Sequence, residues 1–376
     1  VGMRPAIFIC RHGEREDYAW KARGENWQSQ AARPWDTPLT DGGKSQGRAC
    51  GAAIAEHCTR LGLAPIDQIL VSPLLRCAQT GSAAAGPLGL ESLHVTAALA
   101  ETMSEDWYRS WAVPGADSTW GGPRHSKRGD PVDRAALHAA ALEPAQAAFL
   151  AAEELEGALV SHGDATGVQV CEWEDKSGCG GACSVGLAKY TWDAPESEDR
   201  QEARLVGLCE SLRDSWPPHD GGAASPGEAA TCVGEICPPP PPSPQADSEV
   251  ATKDGTPKPP VGSTLLVTHG GPTTNLFRHL TKIPSAPSTG YCGLFCYVWA
   301  DAPPSAPIPS QGGALDQGGV SADGCGRLGR WEALIVADHA HLDSVQGATK
   351  SGPNDMVEQY NPTAAAAAVS AKGQAT

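Results

Sequence analysis

Ala6-Ile7-Phe8-Ile9-Cys10-Arg11-His12-Gly13-Glu14-Arg15 is the stretch on which the fold turns. An unbroken apolar run that ends abruptly in charge has the pattern of a strand buried on both faces, as in a parallel sheet, with its carboxyl end opening onto a site. Ile69-Leu70-Val71 and Thr264-Leu265-Leu266-Val267-Thr268 repeat that pattern, and Leu93-His94-Val95 is a shorter version. Leu294 to Trp299 and Ala333 to Val336 complete the apolar runs that read as strands.

Helical signals separate these runs. Thr40 precedes Asp-Gly-Gly-Lys as a helix start, Cys50, Ile54, Cys58 and Leu61 recur at helical spacing, and Gly62 is the stop. Ser72-Pro73 opens a second helix that Gly86 ends, proline suiting a first turn. Pro131 to Glu156 is alanine-rich and helical in propensity, and Glu198 to Trp216 carries Leu205, Leu208, Leu212 and Trp216 along one face. A last helix starts at Pro272 with Leu276, Phe277 and Leu280 as its buried side. Strands alternating with helices predict a three-layer α/β/α sandwich around a mainly parallel central sheet, with ligands at the carboxyl ends of the strands.

Composition bounds the rest. The 376 residues include 43 Gly and 32 Pro, about 20% against an average of roughly 12%. The excess concentrates in 217–262, 301–330 and 344–376, leaving about 267 residues for the folded part. The expected organisation is one domain over 1–343, interrupted by low-complexity inserts at 217–262 and 301–330, with a disordered tail at 344–376. The formal charge of −16 repels nucleic acid and acidic membrane surfaces, so neither is an expected partner, and any bound anion needs a local cationic cluster. No apolar run reaches a membrane span. Thirteen scattered cysteines point to a reducing, cytoplasmic setting, and Cys171, Cys179 and Cys183 lack the spacing of a zinc site. The chain begins Val1-Gly2-Met3 close to its first strand, which leaves room for a further N-terminal portion.

Three charged clusters fall where such a sheet places a site: Arg11 to Arg15 after the first strand, Arg76 early in a helix, and His269-Gly270-Gly271 after a late strand. Arginine offers a planar fork matched to phosphate oxygens, and histidine is a nitrogen nucleophile near neutral pH. The N–H of Gly13 and the helix near Pro272 are expected to add anion stabilisation.

Arg11-His12-Gly13-Glu14-Arg15, Asp36-Thr-Pro-Leu-Thr40 with Gly43 and Gln46, Ser72-Pro-Leu-Leu-Arg76-Cys-Ala-Gln79-Thr80, and Leu265-Leu-Val-Thr-His269-Gly resemble, in order and spacing, the histidine phosphatase superfamily in its phosphoglycerate-mutase-like branch. Within it the chain looks most like the phosphatase domains of ubiquitin-associated and SH3-domain-containing proteins and of ecdysteroid-phosphate phosphatases. The resemblance implies a phosphomonoesterase, with no cofactor and no metal. His12 would accept the phosphoryl group, Arg11, Arg15, Arg76 and His269 would bind its oxygens, and Glu101 would protonate the leaving group. Glu105 and Asp106 are rivals for that last role. His162, in Ala158-Leu-Val-Ser-His-Gly, competes with His269, but it follows a helical run and leads into a charged segment, so His269 is preferred.

Arg15 stands where the mutases have serine, and the Glu-Arg-His-Tyr-Gly signature is missing, so hydrolysis is expected before mutase chemistry. A noncatalytic phospholigand-binding or scaffold domain is the alternative from a different class. The expected substrate is a small phosphomonoester or a phosphotyrosine-containing molecule, since Trp20, Trp27, Trp35, Trp107 and Trp111 fall in loops around the pocket mouth; equally, they pack those loops. The sequence leaves the oligomeric state open; relatives in the superfamily are often dimeric, so the resemblance admits a homodimer. The prolines from Pro238 have the composition of an SH3 or WW ligand, though no basic residue flanks them and a spacer is simpler.

Overall fold

The computed structural model describes residues 3–27, 30–101, 149–164, 168–173, 198–216, 262–287, 289–301, 321–322 and 328–346. The first insert up to residue 261, Glu105, Asp106, Trp107, Trp111, Cys179, Cys183, Pro238, the helical run at 131–148 and the tail beyond 346 lie outside the described residues.

One mixed sheet runs through the described part. Its strands are β1 (Ile7–Arg11), β2 (Ile66–Val71), β3 (Ser92–Val95), β4 (Gln169–Glu172), β5 (Ser263–Thr268), β6 (Leu294–Asp301), β7 (Ser321–Ala322) and β8 (Leu328–Asp338), in the spatial order β4-β3-β2-β5-β1-β6-β8-β7. From β4 to β1 every pair is parallel, and β6, β8 and β7 add antiparallel pairs at the other end. The late strand β5 is inserted between β2 and β1, and Arg11 is in register with Thr268. The next residue on each strand is therefore a histidine, and the ladder continues one bond further from His12 N–H to Thr268 O at 2.9 Å.

Side chains alternate along the strands, and the two sets build two cores. On one face Phe8, Cys10, Ile69, Val71, Leu265 and Val267 pack with α2 (Asp41–Leu61), α3 (Leu75–Leu88) and α4 (Ala152–Ser161). On the other, Ile7, Ile9, Leu70, Leu266 and Phe295 pack with α5 (Glu198–Asp214) and α6 (Gly270–Thr281). This is the three-layer α/β/α arrangement that the sequence predicts. Leu205, Leu208, Leu212 and Trp216, with Leu276, Phe277 and Leu280, are the buried face of the second helical layer. Each such side chain contributes about 1.5–3 kcal/mol through burial.

Several boundaries differ from the sequence reading. Thr40 and Gly62 do bound α2: Thr40 Oγ1 accepts from Gly43 N, and Gly62 adopts φ 64°. By contrast α3 begins at Leu75, because the Ser72 N–H is committed to Val267 O and the Leu75 N–H is capped at 2.7 Å by the carboxylate of Asp36. It passes through Gly86 and Pro87 and stops at Gly89, which takes the left-handed conformation at φ 71°. α6 starts at Gly270, two residues before Pro272. Trp20 lies on a short helix, α1 (Glu16–Ala22), rather than in a loop. β4 at the sheet edge has no counterpart in the sequence reading, and β7 with the start of β8 falls inside the stretch 301–330 read as insert.

Candidate active site

The carboxyl ends of β1 and β5 bring His12 and His269 together with ring centroids 5.3 Å apart and an interplanar angle of 65°. Both are buried, at 2% and 1% exposure. Gly13 O accepts from His12 Nδ1 at 2.8 Å. A carbonyl can only accept, so Nδ1 carries the proton and Nε2 keeps its lone pair. His269 holds the opposite tautomer. Arg76 Nη2 approaches its Nδ1 at 3.3 Å and can only donate, so Nε2–H faces Ser72 Oγ at 2.8 Å. Cys77 Sγ sits 3.5 Å from the same Nε2, and burial pushes that thiol up to about 12.

Burial pulls the pKa of His12 well below its ordinary 6.5, and Arg76, Arg11, His269 and Arg15 push it the same way. Burial likewise depresses His269, followed by Arg76, Arg15, Arg11 and Arg204. Two neutral imidazoles therefore sit in a cationic cage. Arg76, 3% exposed, donates through Nη1 to Trp35 O at 3.1 Å, which leaves its charge intact, and its buried Nε–H has no partner among the described residues. Arg11 donates to Thr289 O at 2.6 Å and lies over the Tyr291 ring at 5.0 Å. Arg15 is the N-cap residue of α1; it forks onto Asp17 and lies over Tyr18. Its burial opposes the charge, but Asp17, Tyr18 and Tyr291 together more than offset burial and raise its pKa.

Glu101 is near the same edge: a Cβ added to Gly271, in the first turn of α6, would lie 3.0 Å from Glu101 Oε1. The structure thus gathers Arg11, His12, Arg76 and His269 tightly, with Arg15 and Glu101 at the rim of the group. His162 is not among them. It is the exposed C-cap of α4, where its N–H donates to Ala158 O at 3.1 Å and its carbonyl accepts from Lys44 Nζ at 2.7 Å. Asp164, two residues on, does the structural work there by accepting from Gln79 Nε2 at 2.5 Å and pairing with Lys44 at 2.8 Å.

The remaining motif residues brace the His12 loop. Gln46 Oε1 accepts from Glu14 N at 2.8 Å, and Thr40 donates to Glu14 Oε2 at 2.9 Å while capping α2. Gln79 Oε1 accepts from Leu39 N at 2.6 Å. Thr80 Oγ1 accepts from Gly13 N at 3.0 Å and donates to Arg76 O at 2.8 Å, linking the two halves of the site. The Gly13 N–H is therefore spent on Thr80 and not held for an anion, which corrects the expectation from sequence. Gly13 earns its place sterically, since a Cβ there would lie 2.5 Å from Gly43 O, and one on Gly43 would lie 2.4 Å from Glu14 O.

Sequence reasoning missed three contributors. Tyr291 packs tilted against His12 at 6.1 Å, Cys292 N donates to Arg11 O at 3.1 Å, and Ser72 bonds His269. Only Ser72 had a signal, as the head of the Ser-Pro motif. Trp20 on α1 and Trp27 pack edge to face at 5.4 Å, Trp27 donates to Pro34 O, and Trp35 is buried, so these three pack the segment between α1 and α2.

Among the described residues no group of three or more His, Cys, Asp or Glu is arranged to hold a metal ion, and no helix is long and apolar enough to cross a membrane. No curated protein matches the sequence. Among the solved structures that resemble the chain are three with a TM-score of 0.39. One is described as mycobacterial hydrolase 2, 16% identical over 98% of this chain and 98% of its own. Another is the mycobacterial glucosyl-3-phosphoglycerate phosphatase, 17% identical over 89% of this chain and 100% of its own. The third is the ecdysone phosphate phosphatase of Bombyx mori in complex with tungstate, 15% identical over 83% of this chain and 98% of its own. The family model for the histidine phosphatase superfamily, branch 1, matches residues 7–181, a span that contains Arg11, His12, Arg15, Arg76 and Glu101. Over those residues, just under half of the chain, the sequence is similar to the histidine phosphatase superfamily, branch 1.

Proposed function

We propose that the protein is a phosphomonoesterase working through a phosphohistidine on His12. The observation that carries this reading is the Nδ1–H bond to Gly13 O, which aims the chemistry at a free Nε2 inside a cage of arginines. The Nε2 lone pair attacks phosphorus, an N–P bond forms and the P–O bond to the leaving group breaks. Glu101, in its acid form, gives its proton to the departing oxygen. Water then attacks phosphorus, the N–P bond breaks, and the Glu101 carboxylate takes the water's proton, returning His12 to its starting state. Arg11, Arg15 and Arg76 hold the equatorial oxygens and stabilise the charge of the transition state, the unpartnered Arg76 Nε–H gaining an acceptor only when an anion is bound. His269 lends its own donor or acceptor capacity to the same oxygens.

Small phosphomonoesters suit a positive potential confined to one sheet edge of a chain with charge −16. The buried cysteines among the described residues form no disulfide, which fits a reducing, cytoplasmic setting, and a single domain carrying Pro-rich inserts, a homodimer and an SH3- or WW-binding insert stay part of the proposal. The test is phosphate release from 4-nitrophenyl phosphate without added metal, together with acid-labile, alkali-stable labelling of His12 under rapid quench. Equal rates for wild type and His12→Ala would overturn the reading and favour a phospholigand-binding scaffold.

A further inference from the structure

Glu101 follows a single 3-10 turn, Ala97–Leu99, and no helix or strand of its own fixes it. Two side chains from the opposite helical layer and the sheet hold that segment. Thr268 Oγ1 donates to Leu99 O at 2.6 Å. Arg204, on α5 and only 6% exposed, donates through Nη1 to Ala98 O at 2.6 Å and through Nη2 to Ala100 O at 2.9 Å and Glu101 O at 3.1 Å. The end of a 3-10 turn leaves carbonyls without partners, and a planar guanidinium can serve several at once where an ammonium is a point donor. Burying a cation this deeply is costly unless its hydrogen bonds are met, and here the segment before the carboxylate meets them.

The same helix face carries Gln201, one turn earlier and 2% exposed, whose Oε1 accepts from Asn275 Nδ2 on α6 at 2.6 Å. α5 thus grips both the Glu101 backbone and the helix whose first turn lies beside the Glu101 carboxylate. Arg204 is also among the cations that lower the pKa of His269.

We infer that Arg204 is the positioning residue of the proton donor. It fixes Glu101 through the backbone against the start of α6, and it touches no substrate. The inference rests on the reading of Glu101 as the acid. As the N–P bond to His12 forms and the P–O bond breaks, the proton passes from Glu101 to the leaving oxygen, and Arg204 gives up none.

The test compares kcat/KM for 4-nitrophenyl phosphate, whose phenolate leaves with little help, and glycerol 2-phosphate, whose alkoxide needs a proton. Wild type, Glu101→Gln, Arg204→Met and Arg204→Lys are measured in the full chain. Glu101→Gln is expected to lose about 10²-fold or more on glycerol 2-phosphate and under about 5-fold on 4-nitrophenyl phosphate. Arg204→Met is expected to show the same split, and Arg204→Lys a smaller one. An equal loss on both substrates for the Arg204 variants, beside a split in Glu101→Gln, would overturn the positioning role and leave Glu101 as the acid. No split in Glu101→Gln would instead remove Glu101 from the chemistry, and the inference with it. If Arg204→Met does not fold, Arg204→Lys carries the comparison; if neither folds, Arg204 belongs to the scaffold and the inference fails.

Discussion

His12 and His269 face one another edge to face at 5.3 Å, yet they are held as opposite tautomers, His12 protonated at Nδ1 and His269 at Nε2. The difference is imposed by their partners, a carbonyl in one case and a guanidinium in the other. It separates the roles of two chemically identical side chains. His12→Ala is expected to lower kcat by at least about 10³-fold on 4-nitrophenyl phosphate, because the nucleophile is gone. His269→Ala is expected to lose less, about 10²-fold, because only oxygen stabilisation is removed. His162→Ala, on an exposed helix end, should match wild type. Steady-state rates on purified variants check all three.

The imidazoles titrate below their ordinary range, and the sign has two consequences. In histidine NMR titrations without bound anion, both midpoints should lie below 6.5. Arg76→Met should move them upward, since burial and then Arg76 are the leading causes of the depression. Because the unfolded chain binds protons at these histidines before the folded one does, stability should be fully present above about pH 6.5 and fall as pH drops from 6.5 toward the folded-state values. Denaturant midpoints measured at pH 7.5 and pH 5.5 test this, and a higher midpoint at pH 5.5 would contradict it.

Thr80→Val keeps the shape of the side chain but strands the Gly13 N–H and removes a donor from Arg76 O. The expected cost is about 1–3 kcal/mol of stability for a buried group left without a partner. Activity should fall as well, since the two carriers of His12 and Arg76 lose their link. Urea denaturation and kcat/KM on the same preparation provide the check.

Gly43→Ala would set a methyl 2.4 Å from Glu14 O, closer than carbon and oxygen can approach. Both partners are backbone, so neither can yield cheaply. A loss of about 1–3 kcal/mol or more is expected by thermal melting, whereas Gly86→Ala, where an added Cβ meets nothing within 4 Å, should hold or raise stability by roughly 0.5–1 kcal/mol.

Asp36→Ala removes the acceptor that caps α3 from outside the helix. A cap of this kind contributes about 0.5–2 kcal/mol, and its loss should loosen the first turn that carries Arg76. Weaker binding of inorganic phosphate, read as a higher inhibition constant, would accompany the lower melting temperature.

Where structure follows from neighbours in sequence, the chain could be read directly. Thr40 and Gly62 carry their own cap chemistry, and the apolar runs at β1 and β5 end where the charge begins. Arg11, His12, Arg76 and His269 were visible because each stands just past such a run. Nonlocal partners broke the reading elsewhere. The start of α3 depends on Asp36, nearly forty residues away, and β4 is an edge strand with only Val170 buried, too short for any alternation to register. Arg204 escapes a sequence reading because an arginine on an amphipathic helix reads as a solvated charge, and nothing local reveals that four carbonyls wait beneath it. Tyr291 and Cys292 lie in a turn whose approach to His12 is set by the antiparallel return of β6.

The place of β5 between β2 and β1 also orders events in time. During synthesis β1, β2 and β3 emerge first, but β1 and β2 have no direct pairing, so the middle of the sheet stays open until more than 260 residues have been made. Both strands then present unpaired edges, a liability for aggregation, and closing them requires contacts of very large sequence separation, which slows folding. The strand that closes the sheet is the one that delivers His269, so the nascent chain gains its second histidine only in the act of becoming a complete sheet.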